Sequence, residues 1–157
     1  MTLGFPLLVN LKDNNCTVFG GNGSALRRVK ELLRFGAKVT VISPTICPEL
    51  EEMSAAGHIR HIPRKYFRGD CSNSQLCVAS TEDDSLNIAI STECKNKGIP
   101  VNVTSPSSYG TFTFPRLVLT DDVVLSLTGN LTSDELSRLR QKLTEVLPQL
   151  IDEIKSE

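Results

Sequence analysis

Short apolar runs alternate with amphipathic segments over the first two thirds of the chain. Four apolar runs have the length of buried strands: residues 16–19, 38–42, 75–80 and 99–103. A fifth run, 58–62, alternates polar and apolar residues as an edge strand does. Three segments carry apolar residues at helical spacing: residues 24–35, 47–56 and about 81–97. Repeated strand–helix–strand units predict an α/β, Rossmann-like fold with a doubly wound parallel sheet.

After Thr104 the pattern changes. Two β-rich runs, 112–119 and 123–128, flank a Thr-Asp-Asp turn and predict an antiparallel hairpin. Residues 133–154 then form a long amphipathic helix, capped by Thr132 or Ser133. We therefore expect a Rossmann-like domain at 1–104 and a second segment at 105–157. An apolar hairpin needs a partner surface, so this segment predicts a homodimer, the alternative being packing on its own sheet.

Charge and hydropathy exclude several classes of protein. The chain has 157 residues and a net charge of −1, with acidic and basic residues mixed, so we expect no nucleic-acid partner. No signal-like segment begins the sequence, and no apolar run approaches the ~20 residues of a membrane helix. We expect a cytoplasmic protein without membrane association.

The cysteines and histidines predict no metal site. The five cysteines include no Cys-x-x-Cys pair, and Cys16 and Cys77 lie in apolar runs as small buried side chains do. Free cysteines fit a reducing compartment. His58 and His61 lie three apart in an expected strand, so their side chains face opposite sides of it.

The strongest chemical motif lies between the first strand and the first helix. It reads Gly20-Gly21-Asn22-Gly23-Ser24-Ala25, with Asn22 where the second glycine of a Gly-x-Gly-x-x-Ala loop belongs. A strand, a glycine turn and a helix N-terminus place backbone N–H groups against a diphosphate. The motif predicts a dinucleotide on residues 20–24, with the Asn22 side chain near the phosphate path. A glycine loop that binds no nucleotide is the alternative.

The ends of the predicted strands supply the other candidate residues. Ser43 and Pro44 follow the second strand, where Ser43 or Thr45 could donate a hydrogen bond to a ribose. The nicotinamide and substrate side takes residues at the ends of the fourth and fifth strands: Ser80, Thr81, Asn102 and Thr104. Asn102 could equally be a structural hydrogen-bonding residue.

The ordered segments resemble one known family. Residues 5–12 resemble its opening Pro-Leu-Phe-x-x-Leu-Lys, 20–28 its glycine loop, and 32–44 its Leu-Leu-x-x-Gly-Ala-x-Val-Thr-Val-Val-Ala-Pro. Residues 78–87 resemble Ala-Ala-Thr-Asp-Asp-x-x-Leu-Asn, and 98–103 read Gly-Ile-Pro-Val-Asn-Val. Residues 112–115 match Phe-x-x-Pro. The chain thus resembles the precorrin-2 dehydrogenase / sirohydrochlorin ferrochelatase family, the siroheme synthase N-terminal module.

The resemblance implies NAD-dependent oxidation of precorrin-2 to sirohydrochlorin, with iron insertion in some members. It also implies a homodimer, and it places Phe114 and Pro115 on the substrate side. The family's further C-terminal helical region has no counterpart in this sequence. The family's aspartate after Val-Asn-Val is Ser105 here, and a serine without a partner base cannot act as a general base.

Two hypotheses follow from the resemblance and its departures. The first is an active dehydrogenase. The second is a catalytically impaired relative that binds a tetrapyrrole or a nucleotide, motivated by Asn22, Ser105 and the altered loop at 128–134. Asp121 and Asp122 form a turn more readily than they replace the missing carboxylate.

Overall fold

A computed structural model of the chain describes residues 4–156, which form two compact units. The first unit, residues 8–113, contains a five-stranded sheet in the order β3-β2-β1-β4-β5. Its strands are β1 (Asn15–Phe19), β2 (Lys38–Ile42), β3 (Arg60–Ile62), β4 (Leu76–Ala79) and β5 (Val101–Val103). Its helices are α1 (Gly23–Arg34), α2 (Pro48–Ala55) and α3 (Asp84–Asn96). Every strand pair is parallel, which confirms the predicted fold class.

The chain builds this sheet outwards from β1 in two directions. It runs first through β2 to the β3 edge, then returns to β4 beside β1 and ends at β5. Because crossovers between parallel strands are right-handed, opposite directions of travel place α1 and α3 on opposite faces. The face under α3 is an apolar core in which Phe19, Ile90 and Val103 are buried. The carboxyl ends of β1 and β4 therefore meet where the order of the sheet reverses.

The second unit holds the hairpin and the last helix. Its described residues are 4–7 and 114–156, with antiparallel strands β6 (Arg116–Leu119) and β7 (Val124–Leu127) and helix α4 (Ser133–Ser156). Thr132 caps α4 in a reciprocal arrangement with Glu135: the Thr132 amide donates to the carboxylate at 2.7 Å, and the Glu135 amide donates back to the threonine hydroxyl at 3.3 Å. The predicted hairpin and long helix are both present.

The first hairpin strand begins later than predicted, at Arg116 rather than at residue 112. The amides of Thr111 and Phe112 instead donate to the Val101 carbonyl, at 2.7 and 3.4 Å, so these residues lie beside β5 in the first unit. Pro115 comes next and has no amide hydrogen to give to a strand ladder. The prediction was wrong there because an apolar run was read as one strand.

Helix α4 keeps its apolar residues accessible to solvent. None of its described residues is buried, and Leu139, Val146 and Leu150 are 38%, 45% and 46% exposed. The helix is amphipathic rather than apolar throughout. Over residues 4–156, no helix combines the length and the apolar character needed to cross a membrane. Exposed apolar stripes of this kind are found on surfaces that contact another molecule.

Candidate functional site

Gly20 and Ser80 meet at the carboxyl ends of β1 and β4. Gly20 has φ +118°, and a Cβ atom added there would lie 2.2 Å from the Ser80 carbonyl oxygen. Both the left-handed backbone and the close approach require glycine at this position. Open α/β sheets bind ligands where the strand order reverses, and this junction is that point of the sheet.

The next two loop glycines have different surroundings. A Cβ atom on Gly21 would lie 2.1 Å from the Thr45 carbonyl oxygen, and the Gly21 carbonyl accepts a hydrogen bond from the Cys47 amide at 2.8 Å. The segment after β2 therefore packs directly on the loop. A Cβ atom on Gly23 would meet nothing within 4 Å, so the first residue of α1 faces open space. That open side is where a ligand can approach the backbone.

The Asn22 side chain lies at the N-terminus of α1, near the path predicted for the phosphate. It turns inward as the N-cap of α1, where its Oδ1 accepts hydrogen bonds from the amides of Ser24 at 3.1 Å and Ala25 at 3.0 Å. These are amides that a helix N-terminus otherwise offers to an anion. The capping hydrogen bonds stabilise this inward rotamer, and the effect of the side chain on a bound phosphate stays a prediction. The backbone at Asn22 is extended, so the turn does not need the left-handed conformation.

Two buried hydroxyls beside this loop lack hydrogen-bond partners among the described residues. They are Ser24 Oγ at the start of α1 and Ser80 Oγ at the end of β4. Buried polar atoms are normally paired, and leaving one unpaired costs about 1–3 kcal/mol. Polar atoms of a bound molecule would satisfy both. The unpaired hydroxyls, the glycine turn and the open side at Gly23 together fit a dinucleotide at the carboxyl end of the sheet.

Ser43, a predicted ribose donor, already donates its hydroxyl hydrogen within the protein. Ser43 Oγ lies 2.7 Å from the Thr45 carbonyl oxygen, and the Ser43 carbonyl oxygen lies 2.9 Å from His61 Nε2. The Thr45 carbonyl thus competes with a ribose for the Ser43 hydrogen, and donation to a ribose by Ser43 or Thr45 stays a prediction. The hydroxyl oxygen retains acceptor capacity. Pro44 and Thr45 are exposed next to it.

Asn87 is the residue that the sequence analysis missed. It is fully buried, and its Oδ1 accepts from the Thr81 amide at 3.0 Å and the Thr81 hydroxyl at 2.8 Å. Its Nδ2 donates to the carbonyl oxygens of Thr81 at 3.0 Å and Ser105 at 2.9 Å. One amide side chain thus joins the segments that follow β4 and β5. The signal available in the sequence was an asparagine near the start of a predicted helix with an apolar face.

The remaining substrate-side residues fall into two groups. Asn102 Nδ2 donates to the Phe112 carbonyl oxygen at 3.1 Å, which supports its structural alternative, although its buried Oδ1 has no partner among the described residues. Thr104 is exposed after β5. Phe114 and Pro115 belong to the second unit and are partly buried. Their substrate role, like that of Thr104, stays a prediction.

Among the described residues, no general base forms a recorded hydrogen bond with the Ser105 side chain. Its side chain is exposed, and within residues 4–156 no recorded hydrogen bond joins its hydroxyl to a carboxylate or an imidazole. Its carbonyl oxygen, held by Asn87, fixes the backbone instead. Without a partner base, the Ser105 hydroxyl cannot accept a proton at neutral pH.

Comparison with known proteins agrees with this geometry. The sequence profile of a family described as putative NAD(P)-binding matches residues 7–116. A siroheme synthase from Thioalkalivibrio sulfidiphilus is 35% identical over 145 residues, covering 92% of this chain and 30% of that protein. A siroheme synthase from Pseudoalteromonas atlantica is 32% identical over 148 residues, covering 94% and 32%. The chain spans about a third of the length of these curated relatives.

One solved structure has a similar fold. It is described as SirC, precorrin-2 dehydrogenase, and superposes with a TM-score of 0.76 at 26% sequence identity. The match covers 90% of this chain and 70% of the other. The likeness thus includes most of the described elements.

Proposed function

The chain belongs to the putative NAD(P)-binding family, and from that premise we propose that it is a dehydrogenase that oxidises precorrin-2 to sirohydrochlorin with NAD⁺. The observation that carries the proposal is the Gly20–Ser80 junction with its unpaired Ser24 and Ser80 hydroxyls, because its geometry fits a bound dinucleotide. The similarity to siroheme synthases and to a precorrin-2 dehydrogenase supplies the substrate.

In this proposal the chain's own residues position the reactants. The open backbone at Gly23 and the Ser24 hydroxyl hold the diphosphate, and the Ser80 hydroxyl orients the nicotinamide end. A bound nicotinamide supplies a hydride acceptor for the oxidation. Asn87 keeps the Thr81 and Ser105 segments fixed, so the substrate side is preorganised before either molecule binds.

The proton accompanying the hydride needs another acceptor than Ser105. Oxidation of the tetrapyrrole releases a hydride and a proton together, and a serine hydroxyl cannot take up the proton at neutral pH. We infer that the proton passes to water at the exposed Ser105 position, which makes the reaction slow. Iron insertion needs groups that accept the protons of the pyrrole nitrogens. We therefore expect its rate to be lower still.

The test is a spectroscopic assay with purified protein. Precorrin-2 and NAD⁺ should give absorbance at the reduced-nicotinamide band together with sirohydrochlorin, and NADP⁺ in parallel gives the cofactor preference. Absence of turnover at high enzyme concentration with both cofactors would contradict the proposal. Addition of ferrous iron to sirohydrochlorin tests the chelatase activity separately.

A second candidate function is favoured most by Ser105, one of the three departures from the family pattern. A relative that lacks the carboxylate but keeps the fold can still bind a tetrapyrrole or a nucleotide without converting it. Calorimetric titration distinguishes the two. Tight binding of sirohydrochlorin without any NAD⁺ reduction favours the binding protein, and turnover favours the enzyme.

We also infer a homodimer formed through residues 105–157, in the cytoplasm. The support is α4, whose Leu139, Val146 and Leu150 are accessible on a 24-residue helix. A second copy offers a matching stripe, as a two-fold interface requires. The five free cysteines fit a reducing compartment.

A further inference from the structure

Three cysteines that are distant in sequence converge beneath α3. They are Cys71 in the connection before β4, Cys77 within β4 and Cys94 in the last turn of α3. Their sulfur atoms lie within 4.8 Å of one another, and each residue is fully buried. Their spacing in the sequence gave no sign of this cluster, because the sheet and the helix bring them together.

The cluster is held by polar contacts from both sides. Arg64 forms two hydrogen bonds with the Asp70 carboxylate, at 2.7 and 2.9 Å, beside Cys71. Next to Cys94, the Glu93 carboxylate accepts a hydrogen bond from the Gly69 amide at 2.9 Å and another from the Tyr66 hydroxyl. Burial, and then the bond to Glu93, raise the pKa of Tyr66, so it stays a neutral donor. The loop carrying Cys71 is thereby anchored to the helix carrying Cys94.

The spacing of the sulfur atoms suits one metal ion. Metal–sulfur bonds of about 2.3 Å place three sulfur atoms at the corners of a triangle with sides of about 4.0 Å. The observed separations reach at most 4.8 Å, so small side-chain rotations bring all three within bonding distance. A preorganised metal site requires a fixed backbone and only small rotations of the ligand side chains.

The donor set indicates which ion. Thiolates select soft ions such as Cu(I) and Zn²⁺, and zinc takes four ligands. Around the three sulfurs lie apolar side chains that include Phe19, Ile90 and Val101. In residues 4–156 no histidine or carboxylate groups with these cysteines as a fourth ligand. We propose that Cys71, Cys77 and Cys94 form a three-sulfur binding site for Cu(I).

Binding of the ion also changes the charge of the core. A thiolate, not a thiol, is the ligand, so three protons leave for solvent when Cu(I) binds all three sulfur atoms. The resulting complex carries two negative charges, which an apolar core opposes. The affinity for Cu(I) should therefore fall as the pH is lowered.

The site is separate from the dinucleotide site. Cys77 precedes Ser80 by three residues along β4 and its continuation, which is about 10 Å at the rise of a strand. The Asn87 contacts lie at the opposite end of α3 from Cys94. Binding of Cu(I) is therefore a property additional to the proposed dehydrogenase.

The test is a Cu(I) titration of the reduced full chain under anaerobic conditions, in competition with a chromophoric Cu(I) chelator. One ion per chain is expected, with affinity reduced at least 100-fold in Cys94→Val. The matched control is Cys16→Val, equally buried in β1 but outside the cluster, which should bind like the unaltered chain. Failure of the unaltered chain to take copper from the chelator, or an equal loss in both variants, would overturn the proposal.

A second measurement does not depend on the folding of a variant. X-ray absorption by the copper-loaded unaltered chain should show three sulfur neighbours and no nitrogen or oxygen neighbour. A copper site with fewer sulfur neighbours would contradict the assignment, as would Zn²⁺ displacing Cu(I) at equal concentration. Circular dichroism of Cys94→Val shows whether its lower affinity comes from a lost ligand or from an unfolded chain, and the second result would remove its support.

Discussion

The backbone of Gly20 touches the backbone of Ser80 so closely that a Cβ atom on Gly20 would lie 2.2 Å from the Ser80 carbonyl oxygen. This contact joins the first strand of the sheet to the strand formed after the chain reverses direction. It fixes the floor of the proposed dinucleotide site with backbone atoms alone. The surrounding side chains then determine how well this site binds a dinucleotide.

Gly20→Ala should destabilise the protein strongly. Its left-handed backbone costs a non-glycine residue about 1–3 kcal/mol, and the overlap with backbone at Ser80 adds to that cost. We expect urea denaturation to show a loss of about 3 kcal/mol or more. Gly23→Ala is the matched control, since a Cβ there meets nothing within 4 Å. Equal stability of the two variants would refute the packing argument.

Substitutions at Asn22 should separate capping from cofactor binding. Asn22→Asp keeps an acceptor for the Ser24 and Ala25 amides but adds a negative charge, so stability should persist while NAD⁺ affinity falls. Asn22→Gly should cost only a few tenths of a kcal/mol and free those amides, so affinity should rise. Calorimetry with NAD⁺ measures both. Unchanged affinity in Asn22→Gly would mean that the diphosphate binds elsewhere.

Ser105→Asp should increase precorrin-2 oxidation. A carboxylate at this Asn87-fixed position can accept the proton, and general-base catalysis contributes about 100-fold or more. The measurement is kcat with precorrin-2 and NAD⁺. Ser107→Asp, in the short helical turn that follows, adds the same charge nearby and should leave the rate unchanged. A gain of equal size in both variants would point to general electrostatics instead.

A charge on the exposed stripe of α4 should dissociate the proposed dimer. Leu139 and Leu150 are 38% and 46% exposed, and burying a glutamate there without a partner is unfavourable. Sedimentation equilibrium of Leu139→Glu and Leu150→Glu should give the monomer mass, while Gln141→Glu, another exposed position of the helix, should stay dimeric. A monomeric unaltered chain would contradict the dimer directly.

The cap of α4 should respond to acid. Hydrogen bonds from the Thr132 hydroxyl and amide lower the pKa of Glu135 below its ordinary value. A carboxylate whose pKa is lower in the folded state stabilises that state at neutral pH, and its contribution is lost as the pH falls below about 4.3. The stability difference between the unaltered chain and Glu135→Gln should therefore disappear in acid. A difference that stays constant from neutral pH into acid would argue against the ionised cap.

Hydrophobic periodicity predicted the helices and strands well wherever the local pattern and the tertiary environment agreed. The β2 strand has the predicted bounds, and the capping residue Thr132 was one of two expected. The pattern failed at residues 112–115, where an apolar stretch is divided between hydrogen bonds to Val101 and the start of the hairpin. Local composition does not reveal to which strand a backbone amide will donate its hydrogen bond.

The sequence predicted which residues lie at the candidate site better than it predicted what their side chains contact. The Rossmann logic located Gly20 and Ser80, because strand ends meet in any such sheet. It could not show that the Asn22 side chain turns inward, since rotamer choice depends on nearby donors. The role of Asn87 and the meeting of Cys71 with Cys94 depend on contacts distant in sequence. A single sequence carries no sign of such contacts.

The inward turn of Asn22 has a consequence for how the protein exists without its cofactor. A helix end that depends on a ligand gains stability only by mass action with that ligand. Here the chain supplies its own acceptor to the amides of Ser24 and Ala25, so α1 is complete before anything binds. The fold of α1 therefore does not depend on the dinucleotide, and the folded protein should persist in cells depleted of nicotinamide.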